Sequence, residues 1–144
     1  MKKETIVQVF DWLSTDPEIL SLLLLVPKTA TPIEPDPIEV DKRICKTRQV
    51  GDVTDNKPRL AIWGHNPKTL HGRWSQRELE IDILVPLQLQ KSTGLALDLG
   101  NRIKDIMKTK RLGTRIVDIK IDPDLPTAFG WYKSAVRITY NYLG

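Results

Sequence analysis

Apolar residues recur at helical spacing near the start of the chain, where Ile6, Val9, Phe10 and Leu13 share one side of a short amphipathic helix over residues 3 to 13. Ser14 and Thr15 end it. Thr15 or Asp16 then caps a second helix, with Pro17 in its first turn, where a missing N–H costs nothing, and Glu18 near the positive end of the dipole. This helix is expected to run to about Val26. Later the period changes to two: Leu79, Ile81, Ile83 and Val85 alternate with Glu78, Glu80 and Asp82 over the stretch from Trp74 to Val85, which predicts a strand with one dry and one wet face. Leu95, Leu99, Ile103, Ile106 and Met107 form the stripe of a longer helix, capped by Ser92 or Thr93 and closed by a left-handed Gly113.

Shorter signals fill in the rest. Arg59 to Trp63 reads as a strand ended by Gly64; Val117, Ile119 and Ile121 as the inward face of another, with Asp122 to Pro126 a loop. Tyr132 to Tyr142 reads as a last strand with Val136, Ile138 and Tyr140 inward. From Pro27 to Pro37, the prolines at 27, 32, 35 and 37 predict an extended arm, followed by a mixed segment to Lys57 with a strand at Arg43 to Val50 and a turn at Gly51 to Asn56. The expected fold is a single α+β domain over residues 1–144. Its order is ααββαββ: a mostly antiparallel four-stranded sheet packed on one face by helices, with residues 27–57 an extended proline-rich arm and insertion.

Composition narrows the class. A chain of 144 residues with 28% charged and 40% hydrophobic residues has a globular balance, and a domain of this size buries about 70% of its unfolded surface without staples. One cysteine, Cys45, and two histidines cannot supply a four-ligand Cys/His zinc site. No apolar run is long enough to span a bilayer, and the charges that follow Lys2 and Lys3 predict no signal peptide, so a cytoplasmic origin is expected. A net charge of +4 permits contact with nucleic acid without implying it.

Three sets of residues carry candidate chemistry. Asp82 with Asp118-Ile119-Lys120 resembles the acidic pair and lysine of the PD-(D/E)xK nucleases, and all three residues fall on outer strand faces, so they converge if their strands are neighbours. The competing reading is a charged sheet face, on which Glu80, Asp82, Lys133 and Arg137 pair across strands. His65 and His71 flank a loop and could be read as a general base or metal pair, but no acidic cluster is near them in sequence. The basic run Arg102, Lys104, Lys108, Lys110, Arg111 and Arg115 suits phosphates, a protein partner or simply a helix C-terminus; no aromatic is interleaved with it to stack bases. Trp63, Trp74 and Trp131 are core residues or interface anchors. Glycine-rich phosphate loops, GxSxG elbows and HExxH helices do not occur in the sequence.

The segments "VFDWLSTDPEILSLL", "PRLAIWG", "RELEIDILV", "TGLALDLGNRIKDIM" and "GWYKSAVRITYNYL", taken in order, resemble the tail-completion or tail-terminator proteins of long-tailed bacteriophages. The resemblance covers most of the chain and lies in the order of elements. It implies a structural virion protein with no catalytic residues, metal or cofactor, which joins five more copies of itself in a hexameric ring at the head-proximal end of the tail. Such a ring caps the tube, ends its growth and meets the head-completion or connector protein, while DNA passes through its lumen without sequence-specific binding; no membrane partner is implied. Residues expected at subunit or partner interfaces are Pro32, Ile33 and Pro35 of the arm, Trp63, His71 and Trp74 around the loop, the acidic Glu78, Glu80 and Asp82, and the basic Lys108, Lys110 and Arg111.

Overall fold

The computed structural model describes residues 3–26, 34–50 and 54–144. Two helices come first, α1 (Lys3–Ser14) and α2 (Pro17–Leu22). Asp16 caps α2, its Oδ2 accepting from the Ile19 N–H at 3.0 Å. The helix stops four residues short of the expected Val26, because Leu24 adopts a positive φ of 61° and turns the chain.

The proline segment contains a third helix, α3 (Pro37–Arg43), where an extended arm was expected. The cause is the same local chemistry as at α2: Asp36 caps the helix through a 3.0 Å hydrogen bond from the Ile38 N–H, and Pro37 occupies the first turn. Pro37 therefore starts a helix and does not break one. Residues 34–36 precede it without regular structure; Pro32 and Ile33 lie outside the described residues. The strand expected at Arg43 to Val50 reduces to β1 (Ile44–Cys45). Val40 and Ile44 join the core, and Arg43, 1% exposed, donates from Nε to the Pro58 carbonyl at 2.7 Å and from Nη2 to that of Leu23. The insertion is stitched into the domain on both sides.

The remaining elements are β2 (Arg59–Gly64), β3 (Lys68–Thr69), β4 (Trp74–Pro86), α4 (Leu87–Thr93), α5 (Leu95–Lys108), β5 (Arg115–Leu125) and β6 (Trp131–Leu143). The fold is α+β, and among the described residues its sheet has six strands where four were expected, the additions being the two-residue β1 and β3. Strand order is β1-β2-β4-β6-β5, with β3 also on β4; every pairing is antiparallel except β1 with β2. The chain leaves β4, crosses the sheet through α4 and α5, and enters β5 with room for one strand between; β6 fills it.

The core lies between the helices and one sheet face. Leu60 and Ile62 of β2, Leu79, Ile81, Ile83 and Val85 of β4, and Val136, Ile138 and Tyr140 of β6 meet Val9, Leu13, Ile19, Leu99, Ile103 and Met107 from the helices. Side-chain parity on β4 and β6 and the stripe of α5 are as the periodicity predicts. Two helix ends differ. Gly94, at φ 64°, separates α4 from α5 in place of a Ser92 or Thr93 cap, and α5 stops at Lys108, five residues before Gly113, which is left-handed at φ 56°. On β5 a bulge between Ile116 and Asp118 turns Val117 outward, so Ile116, not Val117, packs on the core with Ile119 and Ile121. Asp122 to Leu125 extends this strand through a second register shift and is not a loop.

Candidate functional site

The sheet face turned away from the helices carries most of the charge, and pairing decides which groups meet. Ala61, Asp82, Ala135 and Asp122 form one row across β2, β4, β6 and β5; Trp63, Glu80, Arg137 and Lys120 form the next. Within these rows the Trp63 indole N–H donates to Asp82 Oδ2 at 2.9 Å, and Lys133 Nζ lies 3.5 Å from the same oxygen. Arg137 Nε bridges Glu80 Oε1 at 3.1 Å and Asp122 Oδ2 at 2.9 Å.

This face is not the wet acidic surface that alternation predicts. Glu80 and Asp82 are 3% and 2% exposed, roofed by the rings and long stems of the residues that pair with them. They are held within the subunit and form no open patch of their own, which corrects the expectation that both face a partner; Glu78 stays half-exposed. Burial and the adjoining Asp82 carboxyl push the Glu80 pKa up to about 7, against the opposing pull of His65 and Arg137.

His65 completes this cluster. Its N–H donates to the Glu78 carbonyl at 2.9 Å, continuing the β2–β4 pairing by one residue, so the imidazole stands over the outer face beside Trp63. Nε2 lies 3.1 Å from Glu80 Oε1 and 3.6 Å from Glu78 Oε1. The acidic neighbours missing from its sequence surroundings are thus supplied by the strand opposite, and the sequence signal that could have found them is the His65 parity with Trp63. His71 lies apart, exposed in the turn before β4, where its carbonyl accepts from the Trp74 N–H at 3.0 Å; no histidine pair forms. Trp74 is 38% exposed.

The nuclease-like triad is not assembled. Because β6 separates β4 from β5, Asp82 and Asp118 lie two strand spacings apart, about 9.5 Å, and four residues apart along the strands, about 13 Å. Lys120 pairs with Asp122 at 3.3 Å. No single cation reaches both Asp82 and Asp118.

The basic run splits in two. Arg102 turns back to Asp16 and Glu18, whereas Lys104, Lys108, Lys110, Arg111 and Arg115 line an open groove of about 670 Å³ between the end of α5 and the start of β5, with Asp118 its one acidic lining residue among those described. Arg111 Nε donates to the Thr114 carbonyl at 3.1 Å, and the Lys110 ammonium sits 5.5 Å from the Trp12 ring centre. Phe129, which sequence reasoning passed over, is fully exposed in the turn between β5 and β6. No helix among the described residues is long and apolar enough to cross a membrane. No protein-family model matches the chain, and no curated protein matches it either.

Proposed function

We propose that this chain is a structural subunit of a closed homomeric ring, six copies by its resemblance to the tail terminators, that caps a phage tail tube and joins it to the head connector. The observation that carries the reading is the inequality of the two sheet edges. Among the described residues one edge is the two-residue β1 and the other is β5, eleven residues long and paired on one side only, with the basic groove beside it. A subunit with unlike sides suits head-to-tail contacts, which close into a ring when the rotation between copies permits. The regular stretch Asp118 to Asp122, between two register shifts, is the part of β5 open to a neighbour's backbone, and the groove favours an acidic partner surface.

Imaging of purified tails with the labelled chain tests this. Six copies at the head-proximal end of the tube are expected; another location or another stoichiometry overturns it. Association weakens with salt if the groove contributes, since exposed charges are screened over about 8 Å at physiological ionic strength. The metal-dependent nuclease reading has lost its geometric support with the separation of Asp82 and Asp118. Plasmid and linear DNA incubated with magnesium or manganese should stay intact, and cleavage abolished by Asp118→Ala would reverse the structural reading. A small nucleic-acid-binding module is the other alternative, and salt-sensitive retention of DNA by the free chain, lost on Lys108→Ala with Arg111→Ala, would favour it.

A further inference from the structure

We propose that His65, Glu78 and Glu80 bind one divalent transition ion of the zinc type, which pins the end of β2 to β4. The site follows from register: Glu78 and Glu80 share a face of β4 two residues apart, and His65 continues β2 directly beside them. One ligand atom from each residue lies within 4.8 Å of the other two. A tetrahedral centre with bonds of about 2.1 Å holds its donors about 3.4 Å apart, and the His65 Nε2 distances of 3.1 Å and 3.6 Å to the two carboxylates bracket that spacing.

A buried acid adjoins this ligand set. The buried Asp82 carboxyl adjoins that of Glu80; its Oδ2 is taken by Trp63 and Lys133, and among the described residues Glu80 is the group left to meet its Oδ1. Two buried carboxylates side by side repel each other, and a cation bound at Glu80 relieves that repulsion. Arg137 is the competitor at Glu80 Oε1, and Asp122 gives its guanidinium a second partner when the ion binds.

The donor set selects the metal. One imidazole with two carboxylates suits zinc, cobalt or manganese, whereas calcium and magnesium demand six or more oxygens. Three protein ligands leave a fourth position for water or a donor from another molecule, and His65, about one-third exposed, keeps the site reachable. The ion would hold the Trp63 to His65 strand end, and with it the loop leading to β3. This inference stands apart from the ring reading and neither needs the other.

Titration of the metal-stripped full chain with zinc chloride in a calorimeter, at mildly alkaline pH, tests the site. One saturable site and a rise in melting temperature are expected. His65→Ala and Glu78→Gln should each weaken binding at least about tenfold, and Glu78→Gln, at a partly exposed position, should leave the metal-free melting temperature nearly unchanged. Cobalt replaces zinc as a second readout, its absorption showing a four- or five-coordinate centre that His65→Ala abolishes. Failure to bind zinc at submillimolar concentration, or binding undiminished by His65→Ala, overturns the proposal.

Discussion

Arg102 of α5 grips Asp16, the residue that caps α2, through two parallel hydrogen bonds of 3.0 Å from Nε and 2.6 Å from Nη2. The same carboxylate accepts from the Ile19 N–H, so one side chain ends the loop, starts the helix and ties it to the helix behind it. Such a fork fixes orientation as well as distance.

The pH dependence of stability should register this contact. Partial burial pushes the Asp16 carboxyl up, but the Arg102 and Ile19 hydrogen bonds outweigh burial and hold its pKa below the ordinary value of 3.8. A lowered folded pKa means stability that is present above the ordinary value and is lost as pH falls through the folded one. Asp16→Asn keeps the cap but drops the charge, so its urea midpoint should flatten relative to the parent at acid pH. Asp16→Ala loses both and should cost about 1–3 kcal/mol at neutral pH.

Two glycines should respond to alanine with opposite signs. A Cβ on Gly100, inside α5, would meet Ile121 Cδ1 at 3.6 Å and Ile83 Cδ1 at 3.7 Å, which is ordinary contact. Gly100→Ala should therefore stabilise by about 0.5–1 kcal/mol through helix propensity alone. At Gly113 the φ of +56° already disfavours a side chain, and a Cβ would strike the Asn141 carbonyl oxygen. Gly113→Ala should cost more than about 2 kcal/mol. Paired thermal melts check both.

Leu99 is fully buried in the centre of the α5 stripe. Leu99→Ala should cost about 2–5 kcal/mol by lost transfer energy and the cavity left behind. A cost below about 0.5 kcal/mol in denaturant melts would contradict the packing of α5 on the sheet.

Arg43→Met should destabilise by about 2–4 kcal/mol, although methionine fills much of the same space. The change leaves the carbonyls of Leu23 and Pro58 without their Arg43 donors, at about 1–3 kcal/mol for each buried acceptor left unpaired. Faster amide exchange should accompany it around Val40 and Ile44, because Arg43 joins their segment to α2 and β2.

Whatever depends on neighbours two to four residues apart was legible from the chain alone. The α5 stripe, the dry face of β4 and the Asp16–Pro17 helix start are local patterns of side-chain size and polarity, and they survive unchanged in the fold. The Asp36–Pro37 start was equally local, and the proline count around it hid it. The tertiary structure decided strand order, because pairing between distant segments follows from how the whole core closes and not from any one segment's pattern. Placing β6 between β4 and β5 parted Asp82 from Asp118, and setting β2 against β4 in register brought His65 and Trp63 to Glu78, Glu80 and Asp82. The same closure buried two acids on a face that alternation marks as wet. Alternation records which side of a strand a residue takes, whereas its exposure depends on the stems and rings that neighbouring strands lay over it.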